Sequence, residues 1–288
     1  MNLISLLFHD VYVSDPQESG FPGSAADRYK IDATNFDKHL AALDKVLTLP
    51  PVIVTEATES RTPRIRVAIT VNDGGISYDS IIAPRLEYRG WRGHCFVTTD
   101  YIGRRGFLAK HHLRDLHARG HLIGSHSVTH RSHMATCDPK ILYREWEDSR
   151  KTLEDILGVA VNCASVPGGY YAPRVARAAS EAGLNVLFTS EPDASKHYTE
   201  NCLILGRFTV RHGQRSEYVE RLATGYPAAL YREKIIWDGK KTLKALFRSG
   251  YPIISEYVHR IRQDGNKVSE PIQLKSFSKI NTSAEEKR

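Results

Sequence analysis

The chain has 288 residues, a formal net charge of +7, 41% apolar residues and 25% charged residues. That length accommodates one large α/β domain or two small ones, and that composition is ordinary for a globular protein rather than a disordered one. No stretch reaches the roughly 20 apolar residues that span a bilayer, and no zinc-finger spacing, aromatic RNA-binding motif or zippered basic helix is present, so nucleic acid is not an expected partner.

The opening run, Met1–Asp10, is apolar but short, without a basic leader or a small-residue cleavage site. It reads as a first buried strand, and the expected location is cytoplasmic. Further strands are predicted at Val52–Thr55, Val67–Val71, His94–Thr98, Leu122–Ser125, Cys163–Val166, Val186–Thr189 and Phe208–Val210, the first being Ile4–Phe8. Helices fall between them. Asn35–Val46 follows the cap candidate Thr34, Ser80–Tyr88 follows Asp79, and Lys110–Ala118 ends at Gly120. Pro139–Leu157 and Ala172–Ala182 end at Gly158 and Gly183, glycine being the preferred helix stop. Strands separated by helices imply parallel pairing and right-handed crossovers. So many βα units in one chain favour a barrel over an open sheet.

Beyond about Ala228 the pattern changes to basic helices, Ala228–Arg248 and Ile253–Arg262, broken by Gly250 and Pro252. Trp237, Leu243, Leu246 and Phe247 beside Lys240, Lys241, Lys244 and Arg248 would suit a membrane-surface helix, although packing outside the barrel is the preferred reading. The expected organisation is a barrel over 1–225, a helical extension over 226–270 and a mobile polar tail over 271–288. The cysteines, Cys95, Cys137, Cys163 and Cys202, form no CxxC pair, which argues against a zinc-thiolate site or a disulfide framework.

Polar clusters recur where predicted strands end: His9-Asp10, Asn72-Asp73, Asp100, His126 and Pro167-Gly168-Gly169. In a parallel barrel these ends converge on one face, where catalytic groups gather. His126 and His130 are spaced i, i+4, so a helical turn would point both imidazoles one way. A carboxylate from another loop would then complete a two-His-one-carboxylate metal site suited to hydrolysis.

These residues give the chain a specific resemblance. Thr70-Val71-Asn72-Asp73-Gly74 is similar to the Thr-Phe-Asp-Asp-Gly motif of polysaccharide deacetylases of the NodB-homology class, carbohydrate esterase family 4. His126-Ser127-Val128-Thr129-His130 matches the family's His-Ser/Thr-x-x-His in full. Ser165-Val166-Pro167-Gly168-Gly169 aligns with Arg-x-Pro-Tyr/Phe-Gly and keeps the proline and the last glycine. The similarity runs from about Leu3 to Val210.

The resemblance implies an α/β fold, a distorted (β/α)7 barrel to which this chain adds C-terminal helices. It also implies hydrolysis of N-acetyl groups on aminosugars of a polysaccharide or surface glycan, as in exopolysaccharide metabolism. Asp73, His126 and His130 would hold a divalent metal, zinc by preference, with cobalt, nickel or manganese as alternatives. The backbone N–H of Gly168 would serve as oxyanion donor. Pro167, Gly169, Tyr170, Tyr171 and Asp100 would contact the polysaccharide or oligosaccharide, with core packing the alternative for one of the tyrosines.

The chain also departs from the family. The aspartate that serves the family as general base is here Asn72, an amide that takes no proton from water. The arginine that holds the family's base is Ser165, so both members of one ion pair are replaced together. No counterpart of the late general-acid histidine is evident; His9 and His212 are candidates for it, and Asp10 or Asp100 for a substitute base, with His133 at the rim. Two further readings therefore stand beside deacetylation: a catalytically impaired glycan-binding pseudoenzyme, and an amide hydrolase with a non-sugar substrate.

Overall fold

The computed structural model describes residues 3–54, 65–169 and 171–246. The chain divides into two units, Met1–Trp237 and Asp238–Arg288, and every strand of the described residues lies in the first. These are β1 (Leu3–Phe8), β2 (Val11–Tyr12), β3 (Ile31–Asp32), β4 (Arg66–Val71), β5 (His94–Val97), β6 (Leu122–Ser125), β7 (Cys163–Ser165), β8 (Val186–Phe188), β9 (Lys196–Thr199), β10 (Cys202–Leu205) and β11 (Phe208–Thr209). The helices are α1 (Ser24–Asp27), α2 (Ala33–Val46), α3 (Ala83–Glu87), α4 (Lys110–Ala118), α5 (Pro139–Leu157), α6 (Pro173–Glu181), α7 (Ser216–Ala223) and α8 (Pro227–Leu246).

One sheet runs β11-β1-β4-β5-β6-β7-β8-β10-β9, and β2 pairs separately with β3. All pairs in the large sheet are parallel except β10 with β9. The sheet curls into the distorted barrel expected from the resemblance. Among the described residues no ladder joins β11 to β9, so the barrel stays open on that side.

Side chains alternate across a strand, and this alternation positions the site. Leu3, Ala68, Phe96, Cys163, Phe188 and Leu205 belong to one buried cluster. Their strand neighbours Ile4, Val67, Ile69, Cys95 and Val97 belong to the larger cluster that includes the helix residues Leu40, Leu86 and Leu116. Counting in twos from the first set towards the strands' C-terminal ends reaches His9, Asn72, Thr98, His126, Ser165 and Arg207. Gly124 is required in this layer: a Cβ there would lie 2.7 Å from both the Phe96 ring and the Cys163 carbonyl oxygen.

Several sequence expectations are corrected. Val52 and Val54 are buried, but Val52–Val54 forms no strand, and Thr55 lies outside the described residues. The Val52 N–H bonds the Val67 carbonyl at 2.8 Å and the Val54 N–H bonds His94 Nε2 at 3.1 Å. Pro50 and Pro51, just before, bring no amide hydrogens to start a ladder. The cap of α2 is Asp32 rather than Thr34; its carboxylate accepts the Asn35 N–H at 2.9 Å. The expected helix Ser80–Tyr88 begins as a π-helical stretch, Tyr78–Ile82, and becomes α3 only afterwards. Pro84, near the start of α3, has no N–H for a bond to the preceding turn, which is consistent with the irregular start.

Strands β2, β3, β9 and β10 were not predicted. The C-terminal helix runs Pro227–Leu246, while Phe247, Arg248, the predicted Ile253–Arg262 helix and the tail lie outside the described residues. Among the described residues, no helix is long and apolar enough to cross a membrane.

Candidate metal centre and active site

Asp73 follows β4, and His126 and His130 follow β6. Asp73 Oδ1 lies 3.3 Å from His126 Nε2 and 3.4 Å from His130 Nε2. One donor atom from each of the three residues falls within 4.8 Å of the others. The histidine pair does not sit on the helical turn that its spacing suggested. Residues 126–130 form a loop in which Ser127 and His130 take positive φ, 62° and 60°; Asp73 does the same at 76°. Such backbone is unfavourable for residues other than glycine and persists only when the surroundings hold it.

Here the surroundings are specific. Ser125 Oγ accepts the Ser127 N–H and Ser127 Oγ accepts the His130 N–H, both at 3.1 Å. From α5, Glu145 accepts the Val128 and Thr129 N–H groups at 3.1 and 2.9 Å, the Thr129 hydroxyl at 2.6 Å and Arg131 Nε at 3.1 Å. One carboxylate thus holds the loop that carries both imidazoles.

His126 is fully enclosed, and its Nδ1 lies 2.8 Å from the Ser165 carbonyl oxygen. A carbonyl only accepts, so Nδ1 carries the proton and Nε2 presents a lone pair. Burial pushes the His126 imidazole below its ordinary pKa, favouring that neutral form. Burial alone would raise the Asp73 carboxyl, yet His126 and His130 hold it well below its ordinary value. His126 Nε2 and Asp73 Oδ1 are both enclosed without a hydrogen-bond partner. Lone pairs facing one another in this way fit a divalent cation, which satisfies them together.

Beside this triad the structure places a residue that the sequence reading missed. Arg207, between β10 and β11, is fully buried. Its Nε donates to the Thr189 carbonyl at 2.7 Å, one terminal nitrogen donates to Asn72 Oδ1 at 2.8 Å, and the other donates to Ser165 Oγ at 2.7 Å. Ser165 Oγ donates in turn to Asn72 Oδ1 at 3.0 Å. Asn72 and Ser165 do stand where the family has an ion pair, but their replacement does not leave the site without an arginine. A different arginine, from the connection between β10 and β11, faces the amide. It has no carboxylate within ion-pair distance among the described residues, and burial pushes its pKa down to about 9, leaving it charged at neutral pH. The rings of Phe96 and Phe188 flank it, each with its centroid 5.8 Å from the guanidinium carbon. The signal lay in Cys202–Leu205, an apolar run followed by Gly206 and a single charge, in phase with the barrel interior.

His9 is drawn into the same region. Its ring packs at a tilt against Tyr29 at 4.9 Å, its Nδ1 is enclosed without a partner, and burial lowers its pKa to about 4 against the opposing pull of Asp73. Asp10 is instead clamped: its Oδ1 accepts Ser19 Oγ at 2.5 Å and Ser77 Oγ at 2.8 Å. Burial pushes that carboxyl up to about 6, with the serine bonds acting the other way. Asp100 is exposed and is not gathered into the triad, although its N–H bonds the Val128 carbonyl at 3.0 Å.

Pro167 and Gly169 are buried and Gly168 is exposed; a Cβ on Gly168 would come within 2.9 Å of Ser132 backbone, so this turn packs directly on the loop after β6. Tyr171 is partly buried and its hydroxyl lies 3.1 Å from Thr199 Oγ1. Tyr170 lies outside the described residues. His212 and His133 are exposed, and His133 Nδ1 lies 3.0 Å from Ser132 Oγ. Phe21 was also missed: it packs on His130 at 4.7 Å and on Tyr101 at 4.7 Å, forming an aromatic wall beside the triad.

Residues 59–187 match the family model of polysaccharide deacetylase. Over that stretch the chain is similar to polysaccharide deacetylases. A putative polysaccharide deacetylase, YxkH of Bacillus subtilis, is 24% identical over 60% of this chain and 63% of its own length. The chain thus spans less than two thirds of that relative. Two solved structures share the fold of this chain. The Streptococcus pyogenes deacetylase PplD is 18% identical at a TM-score of 0.65, over 79% of this chain and 99% of that one. IcaB of Ammonifex degensii is 21% identical at 0.64, over 77% and 97%.

Proposed function

We propose that this chain is a metal-dependent hydrolase that removes N-acetyl groups from the aminosugars of a polysaccharide or surface glycan, in exopolysaccharide metabolism. The observation that carries the reading is the Asp73–His126–His130 triad, with two enclosed lone pairs unpartnered, at the C-terminal mouth of a deacetylase-type barrel. Zinc is the favoured ion, because two imidazoles and one carboxylate with open positions are a common donor set for it. When bound, the ion supplies Lewis acidity for amide hydrolysis.

The chain's own residues do the rest. Ser165 fixes the tautomer of His126 through its carbonyl, and Glu145 fixes the loop. The Gly168 N–H, in a turn with φ of 63°, is the proposed oxyanion donor. His9 is the proposed proton carrier to the leaving amine, since Asp10 is already committed to Ser19 and Ser77. Phe21 and Tyr101 offer flat faces to a pyranose ring, with Tyr171, Pro167, Gly169 and Asp100 further out.

A glycan-binding protein with reduced turnover is the second reading. It is favoured by Asn72, whose carbonyl oxygen is turned to Arg207 and which cannot take a proton. Acetate release from a panel of acetylated aminosugar oligomers, with the zinc-loaded protein, tests the first reading. Release above the metal-free protein is expected; none across the panel would overturn it.

A further inference from the structure

The two histidines of the triad are held in different ways. His126 is enclosed, and its Nδ1 is fixed by the Ser165 carbonyl at 2.8 Å. His130 leaves 26% of its side chain exposed. Its backbone N–H is bound by Ser127 Oγ, but among the described residues no hydrogen bond reaches its Nδ1. What lies against this imidazole is aromatic: the Phe21 ring at 4.7 Å, tilted by 41°, and the His126 ring at 5.0 Å.

Phe21 comes from the segment between β2 and β3, and the two residues before it are anchored to the barrel. Ser19 Oγ donates to Asp10 Oδ1 at 2.5 Å and accepts the Ser77 N–H at 2.9 Å, while the Gly20 N–H bonds the Gly106 carbonyl at 2.9 Å. The Ser19 carbonyl accepts from the buried Lys30 Nζ at 2.9 Å. The Asp10 carboxylate fills the space that side chains on Gly20 and Gly75 would take, since a Cβ on either would lie 1.9 Å from one of its oxygens. Phe21 also meets Tyr101 at 4.7 Å and Phe107 at 5.2 Å, both edge-on. A ring pinned through its backbone and packed edge-on against two others restrains the ring that packs against it.

We propose that Phe21 is a positioning residue that does for His130 what the Ser165 carbonyl does for His126. Its ring fixes the imidazole plane so that Nε2 faces Asp73, and the Asp10–Ser19–Ser77 anchor holds Phe21 in place. This rests on the proposed metal site, but not on turnover or on the glycan.

The test measures zinc affinity by competition with a chromophoric chelator, together with the visible absorption bands of the cobalt(II)-loaded protein, which report ligand geometry. Wild type is expected to bind both ions. Phe21→Ala should weaken zinc by about tenfold, the low end for groups that orient a metal-bound histidine, and should shift the cobalt bands. Phe21→Tyr keeps the ring and should preserve both readings. Ser19→Ala cuts the link between Asp10 and the Ser77 N–H and should weaken zinc less. Combined with Phe21→Ala it should add nothing, because both act through the same ring. A role confined to stability would lower the melting temperature of Phe21→Ala and leave the cobalt bands where they are. Unchanged zinc affinity and cobalt bands in Phe21→Ala, or an equal loss in Phe21→Tyr, would overturn the proposal. No metal binding by wild type removes it together with the metal site. Zinc affinity that depends on Phe21, without acetate release from any glycan, removes the deacetylase reading alone; acetate release with a zinc affinity indifferent to Phe21 removes this one alone.

Discussion

At the mouth of the barrel two groups of side chains stand next to each other and differ in how their polar atoms are matched. In Asn72, Ser165 and Arg207, donors meet acceptors in a continuous chain, and the guanidinium charge is borne by neutral oxygens and two aromatic faces. In Asp73, His126 and His130, acceptors meet acceptors, and an enclosed lone pair on each of two residues is left without a hydrogen. An enclosed unmatched acceptor costs about 1–3 kcal/mol. In the first group the oxygens of Asn72 and Ser165 are matched by protein donors; in the second the unmatched acceptors are those a cation would satisfy. Backbone strain follows the same division, with Asp73 and His130 at positive φ while Asn72 is not.

The largest effect should come from breaking the second group. His126→Ala removes a ligand and the bond to Ser165, so zinc should be lost on dialysis and acetate release should fall to the metal-free level. Metal analysis of the dialysed variant checks this, and retained stoichiometric zinc would contradict the assignment.

Converting the first group is next in size. Asn72→Asp restores a proton acceptor and gives Arg207 an anionic partner at the position where it now meets an amide oxygen. If the absent base limits turnover, acetate release should rise by about 10²–10⁴-fold, with no loss of thermal stability. An unchanged rate would show that the proton is taken elsewhere, and His9 would then be the first residue to replace.

A smaller effect is expected one layer out. Glu145→Ala leaves the ligands in place but frees the loop whose N–H groups it binds. Changes of this supporting kind typically lower metal affinity by about 10–100-fold. Zinc competition with a chelator would measure it, and an unaltered affinity would mean that Ser125 and Ser127 suffice to hold the loop.

The sequence made the βα rhythm legible because β1, β4, β5 and β6 are largely apolar runs followed by polar residues. It made the grouping of Asp73, His126 and His130 legible because these residues sit in short, dense motifs. It did not make Arg207 legible. That residue reaches the site from the connection between β10 and β11, two short strands, of which β10 pairs with the polar and partly exposed β9. Only the pairing of β10 beside β8 and the alternation inside the barrel aim it at Asn72. The histidine spacing was misread in shape for a related reason. The i, i+4 rule assumes a helix, whereas here serine hydroxyls and Glu145 capture the backbone N–H groups that a helical turn would use.

The smallest predicted effect asks whether an unmatched buried imidazole marks a site wherever it occurs. His39, on α2 against Phe8, is 1% exposed and has both ring nitrogens enclosed without partners. No second and third ligand gathers round it among the described residues, so its unmatched nitrogens represent a cost and not a vacancy for an ion. Burial lowers its pKa from the ordinary 6.5 to about 4, with Asp32 pulling weakly the other way. The folded form therefore resists a proton that the unfolded chain accepts. Its stabilising preference for the neutral ring is complete above pH 6.5 and is lost as the pH falls from 6.5 towards 4. One such group contributes at most about 1.4 kcal/mol per pH unit over that window. His39→Leu should flatten the acid limb of a melting-temperature profile between those limits while leaving zinc affinity untouched. An unchanged acid limb would place the sensitivity in His94, which burial also lowers to about 4 and whose ring holds the Val54 N–H. A change in zinc affinity would instead mean that α2 and the metal centre are linked through β1.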